Sequence, residues 1–555
     1  MKKLLTISFL ASTALMGAVP TTGDILRQVE PVKMPETPKA LPSVGAGEYK
    51  APLSAKDDLK TFVKSFKFSG NTTVSSEVLS TLVKPYEGKE LGINGLKEVA
   101  SIITKYYRDN GYFVARAYIP AQSMENGIVE IAIIEGTYGA FDMKNTSLVD
   151  TAEVQGYMDY LKGGELVSTM TLERQMLLIN DLSGAQVTNA EVYPGAAVGT
   201  SDFRITVSPT PKYNGYAIAD NYGLRYSGEN RLSAGVNINS LSGIGDLLSF
   251  SGLISNTADL KNARIGYDRP LGYNGLKGGV SLSEIRYRLG EELSIMDAFG
   301  SSTHLNAYLR YPTVKTRTHM QTIGLDVDHR NIKQTQLGDE DHHTVNALTL
   351  KTTNEEETNL LSVYGNLYTS VEFTVGRVAL ENDIARTNDV LLNSEGGYSK
   401  AALTAIHRQN LVGNLMFQTS FRGQKSFGKN LDSTEDISVA GSNGVRAYED
   451  SELSGDQGYV ISGNFLYDLP QNDILIHRMS LFLDHARIWK NTTTFNSEDN
   501  IRNLNAVGIG YGANYNEFNF KATYAHGFGS ESTPTTEAGI STNKNKFLIF
   551  GMMRF

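Results

Sequence analysis

The chain has 555 residues, a net charge of −9, a pI of about 5.6, 53 glycines and no cysteine. Its length asks for several domains or one very large one. The acid excess argues against a nucleic-acid binder with a basic face, and the missing thiols remove disulfides, thiolate chemistry and most zinc sites. A mean hydropathy of −0.25 is too low for a helical membrane protein.

The opening "MKKLLTISFLASTALMGAVP" has two lysines, a short apolar run and small residues near Gly17 and Ala18, which predicts a secretory signal peptide over 1–19. Residues 20–59, rich in Pro, Lys, Glu and Gly ("PVKMPETPKALPSVGAGEYKAP"), read as a linker. Inside it "GDILRQVE" (Gly23 to Glu30) can form two helical turns. So short a helix is marginal in water and needs a docking site.

From Phe62 the texture changes. "FVKSFKFSGN" alternates as a strand, and Ser75 is placed to cap a helix over "SSEVLSTLVKPY". In "GLKEVASIITKYYRDNGY", Leu96, Val99, Ala100, Ile103, Tyr106 and Tyr107 share a helical stripe that stops at Asn110-Gly111. Strands over Phe113 to Ile119 and Gly127 to Gly136 complete a β-α-α-β-β unit, 60–136. A second copy is predicted over 137–209: strand "YGAFDMKN", helices "TAEVQGYMDYL" and "TLERQMLLINDLSG", then strands "AQVTNAEVYPG" and "SDFRITVSP". Tandem copies in an exported chain suggest a binding module, with Phe113 to Ile119 and Phe203 to Val207 as candidate open edges for an added strand.

After Pro211 helical periodicity gives way to alternation. Leu232, Ala234, Val236 and Ile238 share one face, as do Leu248, Phe250, Gly252 and Ile254, and Phe518, Phe520, Ala522 and Tyr524. Segments of about ten residues with one apolar and one small or polar face predict a transmembrane antiparallel β-barrel over 210–555, with 16 strands as the expected number. The last segment, "FLIFGMMRF", sets Phe547, Ile549, Met553 and Phe555 on one face, and its terminal aromatic resembles the assembly signal of outer-membrane proteins. A barrel this wide cannot fill its own lumen with side chains, so something must plug it.

The residues present no active site. His342-His343 within "LGDEDHHTVN" reads as a solvated loop rather than a metal cluster. Asp484 and His485 face opposite sides of a strand and form no dyad. "SGIGD" (Ser242 to Asp246) is a lone glycine turn, and nucleophile elbow, zincin and phosphate-loop motifs are all missing, so the expectation is no enzyme, no cofactor and no metal.

Four stretches, in order, carry a family resemblance: "FKFSGNTTVSSEVL", "LINDLSGAQVTNAEVYPGAAVGTSDFRITV", "GVRAYEDSELSGDQGYV" and "LFLDHARIW". Together they make the chain resemble the outer-membrane transporters of two-partner secretion, the TpsB type that includes haemolysin secretion/activation proteins. The resemblance implies two periplasmic POTRA domains and a barrel in the outer membrane of a Gram-negative bacterium. It implies as client an unfolded exported partner, a TpsA-like adhesin, haemagglutinin or cytolysin, and no nucleic acid. Outer-membrane lipid surrounds the barrel, and the barrel assembly machinery handles it during biogenesis. The loop around 441–458 is then expected to fold into the lumen and fasten Arg446, within the motif Val445, Arg446, Ala447 and Tyr448, to Asp484. Asp484 lies in a strand motif with Phe482 and Ala486, and Ala447 and Ala486 stand where the family has glycine. The family's plug helix falls on "GDILRQVE". An insertase of the same superfamily is the alternative function, and a diffusion porin a more distant one.

Overall fold

A computed structural model describes residues 20–29, 41–42, 60–529 and 544–555, apart from 124, 162, 258, 361, 451, 473 and 495–499. The signal-peptide segment and most of the linker lie outside the described residues.

The first module pairs Ser65–Ser69 in parallel with Ile128–Ile134, which pairs antiparallel with Arg116–Tyr118. Two helices, Ser76–Val83 and Ile93–Asp109, cover this sheet. Leu96, Val99, Ala100, Ile103 and Tyr107 are buried as the 3.6-residue stripe requires, while Tyr106 is only half-buried. Ser75 is the N-cap residue but its side chain makes no capping bond. The sequence pattern misses a small second sheet, in which Lys60–Val63 pairs with Lys89–Gly92. Glu135 accepts from Thr72 N, Thr73 N and the Tyr107 hydroxyl, each at 2.8 Å. Burial pushes its carboxyl up, but these donors outweigh burial and hold it below the ordinary value.

The second module repeats the plan with Thr137–Asn145, Thr200–Pro209 and Ala185–Pro194 in that spatial order, under helices Thr151–Asp159 and Thr169–Asn180. Ser168 caps the second helix by accepting from Thr171 N. This order corrects one expectation. Phe203 to Val207 lies in the central strand, bonded in parallel to one neighbour and antiparallel to the other, so its edges are used. The crossover from the first strand through two helices places Ala185–Pro194 at the edge instead. In the first module Arg116–Tyr118 is an edge strand, as expected.

Among the described residues sixteen antiparallel strands then close a barrel, from Tyr213–Asp220 to Asn545–Arg554. The last strand meets the first over five positions, Phe550↔Asp220 to Arg554↔Tyr216. Phe555 exchanges both backbone bonds with Gly215, at 2.8 and 3.1 Å. Turns such as 516–517 lie at the barrel end that carries the N-terminal modules, and long loops such as 428–456 lie at the other end. The apolar face of each strand points outward: Leu232, Phe250, Phe520 and Phe547 are each more than 40% exposed. A soluble protein would bury these; a bilayer covers them. No helix among the described residues is long and apolar enough to cross a membrane.

Candidate functional site

Two elements that are not part of the wall enter the barrel. The loop 428–456 folds inward, and its motif residues Val445, Ala447 and Tyr448 pack in one buried cluster with Phe482, Ala486, Leu504 and Ala525 from three wall strands. Two glycines let the backbone turn on itself. Gly441 has φ 88°, and a Cβ there would stand 1.5 Å from Asp450 Oδ1; one on Gly444 would stand 2.3 Å from Val439 O. Ser442 N donates to Asp450 Oδ1 at 2.6 Å and ties the tip together. Ala447 needs no such freedom: it is absent from the residues with positive φ, and its methyl is buried in the cluster.

Arg446 reaches the wall. Its Nε donates to Asp484 Oδ2 at 2.9 Å, its Nη2 to Asp484 Oδ1 at 2.6 Å, and its backbone N–H to Oδ2 at 3.2 Å. Ser462 Oγ adds a fourth donor to Asp484 at 2.6 Å, and Arg446 Nη2 also donates to Asn464 Oδ1 at 2.9 Å. The strand's period of two sets Phe482 on the same face, and the guanidinium carbon lies 3.4 Å from its ring centroid. Asp484 is fully buried, whereas His485 takes the other face and bonds Asn505 at 2.8 Å, so the two form no dyad.

Contacts that no local motif announces hold the base of the loop. Glu435, buried, pairs with Arg330 and, at 2.9 Å, with Lys400 from two other wall strands. Asp432 lies 3.3 Å from His343 Nε2, whose Nδ1 bonds Asp341 at 2.9 Å. This overturns the solvated-loop reading of His342-His343. Both lie in the strand Asp339–Leu360, and alternation turns His343 into the lumen. Among the described residues no group of three or more His, Asp or Glu is arranged to hold a metal.

The second element is the helix Thr22–Gln28. Thr21 and Asp24 form a reciprocal capping box, which offsets some of the cost of so short a helix. Ile25, fully buried, packs among Leu224, Tyr226, Leu260, Tyr287 and Leu293 of the wall and its loops. Thr22 Oγ1 bonds Tyr287 at 2.8 Å and Gln334 at 2.6 Å. The helix also grips the loop: Arg27 donates to Ser433 O at 3.0 Å and Asp436 O at 3.2 Å, and Ser454 donates to Asp24 at 3.2 Å. A Cβ on Gly23 would sit 1.9 Å from Ser433 O, so only glycine fits.

The second module is bolted to one rim of the barrel. Lys315 pairs with Asp181 at 2.6 Å, Lys277 donates to Asp181 O at 2.7 Å, and Tyr157 packs edge-on to Tyr273 with centroids 5.3 Å apart. The glycine turn Ser242 to Asp246 is part of this joint, with Asp150 N donating to Gly243 O at 2.7 Å. Linker residue Leu41 packs in the core of the second module, and Arg317 donates to Leu41 O and Pro42 O, both at 3.0 Å. The helix and the linker residues Leu41 and Pro42 are therefore fixed at two separate levels of the molecule.

Comparison with known proteins agrees with this architecture. A family profile described as "POTRA domain, ShlB-type" matches residues 61–136, and one described as "Haemolysin secretion/activation protein ShlB/FhaC/HecB" matches 199–515. The heme/hemopexin transporter protein HuxB of Haemophilus influenzae (strain 86-028NP) is 28% identical over 526 residues, covering 91% of this chain and 90% of that one. The outer membrane transporter CdiB of Dickeya dadantii is 21% identical over 425 residues, covering 74% and 73%. Among solved structures, CdiB from Escherichia coli superposes with a TM-score of 0.71 at 18% identity, covering 96% of this chain and 95% of that one.

Proposed function

The chain belongs to the haemolysin secretion/activation protein family of ShlB, FhaC and HecB, and on that premise we propose how its plugged lumen serves transport. It is an outer-membrane transporter of the two-partner secretion type, with a ShlB-type POTRA domain on the periplasmic side, and it exports a partner protein. In our reading residues 60–136 and 137–209 are two POTRA domains that capture this partner unfolded. Residues 1–19 are removed on export, and 20–59 carry the plug helix and its tether. The partner is an adhesin, haemagglutinin or cytolysin of large β-structured type. Its folding outside the cell supplies the drive, since the sequence carries no phosphate-loop motif.

Capture proceeds by strand addition. The open edge is Ala185–Pro194, which beyond Val187 presents backbone groups that the module's own sheet leaves unpaired on one side, whereas at Arg116–Tyr118 the outward N–H of Ala117 already donates to Thr104 Oγ1 at 2.9 Å. The partner then enters the lumen as helix 22–28 and loop 428–456 give way. Arg446 and Asp484 act as the latch on that loop, with Val445, Ala447, Tyr448, Phe482 and Ala486 forming its seat. The single observation that carries this reading is that both filling elements contact the wall through side chains, whereas the wall itself is a complete ladder without them. Phe547, Ile549, Met553 and Phe555, all on the outward face of the closing strand, serve the barrel assembly machinery and then face lipid. The matched family is one of secretion proteins, which disfavours the insertase, and the filled lumen disfavours a diffusion porin.

Removing residues 60–136 tests the capture role. The module contacts the second module, through Thr169 N to Gly111 O at 2.9 Å and the Phe113–Phe203 ring pair, and leaves the rim joint intact. The expected result is a barrel that inserts and shows normal heat-dependent mobility, with partner retained in the periplasm. Undiminished release would remove the first module from the mechanism.

A further inference from the structure

The outer surface of the barrel carries a charge pattern that transport does not use. Across six consecutive strands, from Leu260–Pro270 to Val363–Leu380, the outward face holds an apolar band that includes Ile265, Leu282, Leu305, Val327, Leu348 and Val375. Each of these is between 42% and 52% exposed, the signature of side chains meant for acyl chains. Toward the extracellular ends the outward positions change character. Lys261, Arg286, His329, Lys333 and Arg377 take over, all exposed.

Register places the lysines and arginines among them close together. Lys261 is the ladder partner of Arg286, Arg286 of Ser301, and Ser301 of Lys333, so three cations and one hydroxyl occupy a single row over four strands. His329 pairs across Asn346 with Arg377, which extends the patch over two more strands. Neighbouring strands are about 4.8 Å apart, so these charges repel one another unless an anion lies between them. Glu284 bonds Arg286 Nε at 3.2 Å and accepts from Thr303 at 2.6 Å. Among the described residues no carboxylate stands within ion-pair distance of Lys261, Lys333 or Arg377.

Depth fixes what the anion is. From Leu282 to Arg286 the strand advances roughly 13 Å, which at a tilt near 45° lifts the guanidinium about 10 Å above the apolar band. That is the headgroup level of the outer leaflet, where Lys and Arg bury their stems along apolar surface and hold their charges among phosphates. We propose that this wall is a binding site for a phosphorylated, multiply acylated glycolipid of the outer leaflet. Its acyl chains lie along the Ile265–Leu282–Leu305 band, and its phosphates are bound by Lys261, Arg286 and Lys333. Arginine's planar fork suits a phosphate, and Ser301 between the cations supplies a further donor.

The test uses the full chain purified in mild detergent and incubated with bisphosphorylated lipid A, with retained lipid measured by native mass spectrometry. The triple variant Lys261→Ser, Arg286→Ser, Lys333→Ser should retain at least about tenfold less lipid, the scale set by three basic residues at an anionic surface. Lys261→Arg with Lys333→Arg should retain the wild-type amount. These side chains lie outside the lumen, so heat-dependent mobility should be unchanged in both variants. The wild type should discriminate against the same lipid with its phosphates removed. Equal retention by the triple variant, or of the dephosphorylated lipid, would overturn the proposal. So would full competition by millimolar inorganic phosphate, which would make the patch a general anion site.

Discussion

Asp484→Ala is expected to lower release of the partner protein at least about tenfold while barrel abundance in the outer membrane stays within about twofold of wild type. The carboxylate takes four donors, three from Arg446 and one from Ser462, and is fully buried. Without it Arg446 stays in a confined site with only Asn464 and the face of Phe482 as partners. Removing one member of a buried, hydrogen-bonded ion pair costs about 3–5 kcal/mol, less where water reaches the survivor. That cost falls on the docked loop. The strand Leu475–Trp489 is paired along its length with one neighbour and from Arg478 onward with the other, so the wall does not depend on the Asp484 side chain. Arg446→Lys should fall between wild type and alanine, because an ammonium cannot match the two carboxylate oxygens as a fork does. Secreted partner in the medium, set against heat-shifted barrel in the membrane, reads both quantities. Loss of the barrel itself would assign the pair to folding rather than to gating.

The second large effect concerns leakage. Deleting residues 22–28 should raise the single-channel conductance of purified protein in planar bilayers by roughly an order of magnitude, since a sixteen-stranded barrel otherwise encloses an aqueous channel. Gly23→Val should do nearly as much from one side chain, because the space a Cβ would need is occupied by Ser433 O. The helix is short and depends on its dock, so displacing it at Gly23 also strains the neighbouring contacts of Ile25 and Arg27. Combining the deletion with Asp484→Ala should give the most open pore, with both filling elements freed. Conductance in the deletion equal to wild type would leave the loop as sole plug.

What could be read from the residues follows the solvent each face meets. Lipid imposes strict alternation, so Leu232 to Ile238 and Phe518 to Tyr524 announced a barrel with no further help. The helical stripe of Leu96 to Tyr107 was equally plain, because a packed sheet imposes its own period. The Arg446–Asp484 contact was legible only through resemblance, since the partners are 38 residues apart and neither carries a periodic signal. The long-range contacts of the lumen and the rim left no trace. In the lumen Arg330 meets Glu435 across 105 residues and at the rim Arg317 meets Leu41 across 276, with identities that look like ordinary surface charge. Two expectations failed for related reasons. The acidic neighbours of His343 point to solvent, although strand alternation turns it inward. Phe203 to Val207 reads from the sequence as a candidate edge, although a parallel crossover puts the last strand of that module in the middle.

In the proposed mechanism helix 22–28 fills the lumen at rest and must leave it for the partner to pass. The cysteine-free chain permits a clean test. Thr22 and Gln334, whose side chains meet at 2.6 Å, are both replaced by cysteine and joined with a short cleavable thiol-reactive linker in cells expressing the partner. Joining helix to wall is expected to stop release and cleaving the linker to restore it, while neither single cysteine has an effect. Release at the wild-type rate from fully joined protein would contradict this mechanism.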